Sequence, residues 1–272
     1  VYFSFAASFF TPVRLVGVVG DDFPNEFRET LATRDIDLAG LETRKGSKTF
    51  RWTGKFVGDM NEAETVDVSL NVLAEAGPKV PASFADSRAV FLANTHPSLQ
   101  RELLAQIAEP KLTVCDTMNL WIANERDELL KTFAAVDGVI INDAESRQLT
   151  GCHNLIEVGE KLLDLGPKFA VIKKGEHGAL LVTAEGPTAI PAFPTKNVND
   201  PTGAGDSFAG GMLGYLANED DFSPSALRRA IVRGTVAASF TIEAFSLKRV
   251  MEVAREDIDR RVEDFRMMLR ID

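Results

Sequence analysis

Four short apolar segments in the middle of the chain, residues 89–94, 112–116, 138–142 and 170–175, each run into polar residues. Helical spacing fills the gaps between them, through Leu103 to Ile107 and around Leu129 to Phe133. Continuous apolar strands alternating with helices specify a parallel sheet covered on both faces. Such a sheet binds ligands at the carboxyl ends of its strands, which directs Asn94, Asp116 and Asn142 towards one crevice. Residues 178–182 turn the last of these strands into a hairpin.

The flanks extend this plan. Residues 1–10 are apolar, but Pro12 and Arg14 stop the run well short of a membrane span and no basic region precedes it, so a buried helix is expected. Residues 13–19 read as a core strand ending in Gly20-Asp21-Asp22, and residues 26–34 as a helix carrying Phe27 and Leu31. From Leu41 to Asp67 the pattern changes to exposed strands around residues 48–57. A two-stranded piece has no core of its own, so this segment is either a lid over the crevice or an edge hairpin of the main sheet. After residue 203 the chain is mostly helical, with a last helix around Val250, Val253, Ala254 and Val262 whose mixed charges mark a solvated face. No repeat, low-complexity segment or linker interrupts the chain, and a single domain over 1–272 with a lid at about 41–67 is expected.

A formal charge of -10 and a pI near 5.0 disfavour nucleic acid and anionic membranes as partners, so an anionic substrate needs local donors or a metal. Cys115 and Cys152 lie far apart without C-x-x-C spacing and imply reduced thiols in a cytosolic protein. His96, His153 and His177 share no ligand spacing and read as structural.

The densest chemical signal is Asn199-Asp200-Pro201-Thr202-Gly203-Ala204-Gly205-Asp206-Ser207-Phe208. Pro201 and Gly203 exclude a helix before the loop, and the small and apolar residues after Asp206 continue as a buried helix. The loop is thus a helix N-terminus whose amides, unshielded beside two glycines, suit a phosphate. A carboxylate in that first turn repels the anion bound beside it. Asp206 is accounted for either as a helix-start charge or as a base that takes a hydroxyl proton while the amides hold the phosphoryl group under attack.

The longer string D-P-T-G-A-G-D-S-F-A-G-G resembles the second signature of the PfkB (ribokinase-like) family of carbohydrate and nucleoside kinases, usually D-T-T-G-A-G-D-x-F, with Pro201 replacing the first threonine. Three further stretches match in family order: Gly17-Val18-Val19-Gly20-Asp21-Asp22, Asn142-Asp143-Ala144-Glu145 as N-x-x-E, and Lys173-Lys174-Gly175-Glu176-His177-Gly178. The resemblance implies a ribokinase-like doubly wound, mostly parallel α/β sheet flanked by helices, with a small β-strand lid. It implies Asp206 as base with Gly203, Ala204 and Gly205 as anion hole, and nucleotide contacts from Lys173, Gly175 and Thr202. By the same resemblance, Asn142 and Glu145 position Mg²⁺ largely through water, Asp200 helps hold a monovalent cation such as K⁺, and Asp21 lies near the sugar site. Asp206, Asn94 and Asp116 complete the acceptor side, and the lid is the expected face of a homodimer. Without the resemblance, N-x-x-E is a weak tetrapeptide found at many strand-to-helix junctions, and residues 173–178 are also an ordinary hairpin turn.

The expected activity is ATP- and Mg²⁺-dependent phosphorylation of a hydroxyl on a sugar or related small molecule by a cytoplasmic enzyme. The alternatives are a nucleoside kinase of the adenosine type and a catalytically silent relative that only binds ligands; a dinucleotide oxidoreductase fits less well because Gly203-Ala204-Gly205 comes so late in the chain. The family begins with a strand and a G-G motif that should lie upstream of Val1, and a chain without them is expected to leave sheet edges unpaired.

Overall fold

The computed structural model describes residues 1–56, 60 and 63–270. Its main sheet has six strands in the order β10-β9-β8-β7-β6-β5. These are β5 (Ala89–Leu92), β6 (Leu112–Asp116), β7 (Gly138–Asn142), β8 (Phe169–Lys173), β9 (Ala179–Thr183) and β10 (Gly186–Ile190). β5 to β8 are parallel, and β9 and β10 return antiparallel at the edge. β10 has no counterpart in the sequence expectations.

Alternation along these strands divides the interior in two, because successive side chains leave opposite faces of a sheet. Val114, Ile140, Val171 and Leu181 pack on one face with residues of α1 (Tyr2–Ala7), α8 (Ala204–Glu219) and α9 (Pro224–Thr241). Cys115, Val139, Ile141, Ala170, Ile172 and Leu180 pack on the other with α5 (Arg126–Phe133), α6 (Asp143–Thr150) and α7 (Leu155–Asp164). Both faces are therefore covered by helices, as continuous apolar strands require. Helices α3 (Pro97–Leu104) and α4 (Asn119–Asn124) lie on the second side of the chain order, after β5 and β6. α3 stops at Leu104, a turn earlier than its apolar spacing suggested.

The amino-terminal third forms separate small sheets. β1 (Val13–Gly20) pairs in parallel with β2 (Ile36–Arg44), with α2 (Asn25–Ala32) as the crossover. Only Val19 and Gly20 at the end of β1 are fully buried, so it is less a core strand than its composition implied. β3 (Arg51–Phe56) and β4 (Ala63–Ser69) make the antiparallel pair expected of the lid segment, whereas residues 41–44 belong to β2. The expected exposed strand at 48–57 ends outside the described residues at Val57. Phe3 of α1 stacks on Phe91 of β5, with centroids 4.3 Å apart.

α8 is buried from Ser207 to Leu216 and is apolar all round, the pattern of a central helix. The last helix divides into α10 (Lys248–Met251) and α11 (Arg255–Met268). Ala254 is extended there (φ -92°, ψ 167°) and its N–H is held by Asp257 at 2.9 Å, so a fresh helix start replaces the continuous helix that the Val250 to Val262 spacing suggested.

Candidate active site

The carboxyl ends of β6, β7 and β8 bring Asp116, Asn142 and Lys173 side by side: Asp116 is in register with Ile140, and Asn142 with Lys173. Asn142 then caps α6. Its Oδ1 accepts from Glu145 N–H at 2.7 Å, while Glu145 Oε2 accepts from Asn142 N–H at 3.1 Å, a reciprocal capping box. This local exchange anchors Glu145 in a half-buried place. Burial, with the Asp116 charge adding to it, pushes its carboxyl up to about 7.

Asp116 is 7% exposed, and burial raises its carboxyl against the opposing pull of Lys173. Lys173 Nζ stands 3.4 Å from Asp116 Oδ2. Glu145 and Asp206 also act on that ammonium, and the carboxylates together hold it firmly charged despite the burial that opposes them. One cation thus faces three acidic side chains where four elements meet.

The fourth element is α8. Gly203 is its N-cap in the left-handed region (φ 79°), and a Cβ there would run into the ring of Tyr2, so glycine is required twice over. Ala204 N–H is taken by Pro201 O at 3.0 Å and Ser207 N–H by Gly203 O at 2.8 Å. The amides of Gly205 and Asp206 have no protein partner among the described residues. Gly203 N–H likewise has none among the described residues, so of the expected Gly203-Ala204-Gly205 set only the Ala204 donor is taken, and the Asp206 amide adds a third free donor. Asp206 projects from the same turn. Thr202 N–H is held by Asp200 Oδ1 at 2.9 Å, and Asn199 and Asp200 N–H both reach Ile242 O, which ties the loop to the end of α9.

The remaining expected residues are placed less centrally. Asn94 lies exposed beyond β5, where Trp121 Nε1 donates to its Oδ1 at 2.8 Å. Asp21 is exposed, and its hydrogen bonds run to Gly46 N–H at 2.6 Å and Ser47 O rather than into the cluster. Gly175 opens a short turn after β8 with φ 54°. Tyr2 was not singled out from the sequence, where it is one aromatic residue among many in an apolar run. It lies against Gly203 with its hydroxyl bonded to Ser246, and burial raises its pKa. Two buried hydroxyls beside the acids, Thr117 Oγ1 and Ser207 Oγ, lack partners among the described residues.

The arrangement can seat an anion on the free amides of Gly203, Gly205 and Asp206 with a carboxylate and an ammonium alongside. Glu145, a half-buried acid crowded by Asp116, could share in holding a hydrated divalent cation. Among the described residues no group of three or more acidic, histidine or cysteine side chains is placed to hold a metal ion directly. No helix among the described residues is long and apolar enough to cross a membrane.

A helix-flanked, mostly parallel sheet with this phosphate-competent helix start defines a ribokinase-fold protein. Ribokinase from Thermotoga maritima superposes with a TM-score of 0.75 over 96% of this chain and 86% of that one, at 21% identity. Aminoimidazole riboside kinase from Salmonella enterica, solved with aminoimidazole riboside and an ATP analogue, gives 0.74 over 96% and 90%, at 18% identity. The cytidine kinase of Thermococcus kodakarensis is 30% identical over 211 residues, which cover 75% of this chain and 73% of that protein. Residues 5–253 match the pfkB family carbohydrate kinase model, and the chain belongs to that family of kinases.

Proposed function

We propose that this chain transfers the terminal phosphoryl group of ATP to a hydroxyl of a sugar or nucleoside. The observation that carries the reading is Asp206 in the first turn of α8, where the amides of Gly203, Gly205 and Asp206 itself have no protein partners among the described residues. In this reading the acceptor hydroxyl gives its proton to Asp206 as its oxygen attacks phosphorus, and the bond to the leaving ADP oxygen breaks. The N–H groups of Gly205 and Asp206, with Gly203, stabilise charge on the transferring group, and Lys173, Gly175 and Thr202 line the nucleotide. Asn142 and Glu145 hold the water shell of Mg²⁺, which neutralises phosphate charge when bound. Asp200 sits where a monovalent cation would brace the loop. Catalysis is then mostly positioning and electrostatics.

The acceptor is either a nucleoside or a free sugar, and the 30% identity to a cytidine kinase supports trying the nucleosides first. The lid strands β3 and β4 would cover the acceptor and offer a dimer face. Buried, unpaired Cys115 and Cys152 suit a reducing cytoplasm. ADP release is to be measured with cytidine, adenosine, aminoimidazole riboside, ribose, fructose and inositol, in potassium, sodium and choline buffers. Turnover with one acceptor group supports the assignment. Nucleotide binding with no acceptor-dependent ADP release would establish the silent relative instead.

A further inference from the structure

Lys173 occupies a position that contact with a nucleotide alone does not explain. Its Nζ is 3.4 Å from Asp116 Oδ2, beyond the roughly 2.7–2.9 Å of a well-formed ammonium–carboxylate bond. On its other side the same Nζ is 3.0 Å from the point where a Cβ on Gly205 would stand, against the first turn of α8. The side chain is 19% exposed and that of Asp116 is 10% exposed. The ammonium is therefore tethered loosely to one carboxylate while already lying against the first turn of α8 at Gly205.

Building on the kinase reading above, we propose that Lys173 is a relay cation, paired with Asp116 until a nucleoside triphosphate binds and then turned onto the terminal phosphoryl group. Asp116 is then the resting counter-ion of Lys173 and not a ligand of the acceptor. Nζ lies between Asp116 and the first turn of α8, so the ammonium can exchange one for the other without leaving the cluster. Lys173 keeps its proton throughout; the proton that moves in the reaction goes from the acceptor hydroxyl to Asp206. Departure of the ammonium leaves the buried Asp116 and the half-buried Glu145 as neighbouring acids, which favours a hydrated divalent cation in its place. Triphosphate binding and metal binding are thereby coupled through one side chain.

The relay makes a prediction that a packing role does not: Lys173 distinguishes a triphosphate from a diphosphate. Calorimetric titrations of the full chain with a non-hydrolysable ATP analogue and with ADP, both with Mg²⁺, test this on the wild type, Lys173→Met, Lys173→Arg, Asp116→Asn and the Asp116→Asn/Lys173→Met double variant. Lys173→Met should weaken the analogue by about tenfold or more and ADP by less than about threefold, with Lys173→Arg recovering the discrimination. The double variant should match Lys173→Met, because the counter-ion has nothing left to hold. Equal weakening of both nucleotides, or additive losses in the double variant, overturns the relay. An Asp116→Asn variant that raises only the KM for the acceptor also overturns it. Lys173→Arg retains the charge and keeps the test valid if Lys173→Met does not fold. Discrimination without acceptor phosphorylation by the wild type supports the relay while overturning the kinase reading, and a wild type that binds neither nucleotide overturns both.

Discussion

The ring of Tyr2 fills the space that a side chain on Gly203 would need, and Gly203 holds the left-handed backbone that starts α8. α1 is thus part of the wall of the loop that leads into α8. Gly203→Ala meets both the aromatic ring and an unfavourable φ, and should cost about 2–4 kcal/mol of unfolding free energy in urea titrations. Adding Tyr2→Ala removes the clash but not the backbone strain, so it should recover only part of that loss. Full recovery would show that the backbone angle is unimportant.

Asp206→Asn keeps the shape of the helix start and removes the proton acceptor. The kcat with the best acceptor should fall by roughly two to four orders of magnitude, with affinity for the ATP analogue little changed. Near wild-type turnover would reduce Asp206 to a helix-start charge.

Glu145 gives a pH signature. Burial, reinforced by Asp116, raises its carboxyl from 4.5 to about 7, so between those values the folded protein binds more protons than the unfolded chain. Its contribution to stability is therefore greatest at low pH and is lost as pH rises towards 7, by about 3 kcal/mol at most, then stays level. In metal-free buffer the unfolding free energy of the wild type relative to Glu145→Gln should decline over that window. A constant difference would mean that the acid is not desolvated. With turnover as the readout, Glu145→Gln should also raise the Mg²⁺ concentration that gives half the maximal rate.

Asn142 links the end of β7 to α6 through its cap. Asn142→Ala removes the bond to Glu145 N–H and should cost about 1 kcal/mol in chemical denaturation. The orientation of Glu145 then loosens, so the Mg²⁺ requirement should rise in the same variant. Unchanged stability would show that the capping box is dispensable.

Much of this site could be read before any coordinates, for a geometric reason. Residues ending adjacent parallel strands fall along one edge, so Asp116, Asn142 and Lys173 converge once the strands are recognised. The Pro201 and Gly203 punctuation likewise fixes where α8 begins. What stayed hidden depends on side-chain direction and on competition for single hydrogen bonds. The Lys173 ammonium could equally have faced solvent, and nothing in G-A-G-D says that Pro201 O occupies the Ala204 N–H. Asp21 ends a glycine-rich strand but is drawn off by Gly46. The split between α10 and α11 was masked because Val250, Val253 and Val262 are all buried across the break, which mimics one helical stripe.

At Gly210, Gly211 and Gly214, α8 approaches its neighbours through bare backbone. A Cβ on Gly214 would stand 2.7 Å from Ala7 O, and one on Gly211 would stand 2.8 Å from the Ala237 Cβ, so α1 and α9 grip the helix from two sides. Side chains can absorb a misfit by changing rotamer, but main chain can only move as a body. Any added methyl along this seam therefore displaces Asp206 and the free amides together, as the jaw of a vice moves everything it holds. Directed evolution for new acceptors should consequently find few accepted changes on α8, and should draw its variants from the exposed rim around Asn94 and the strands β3 and β4.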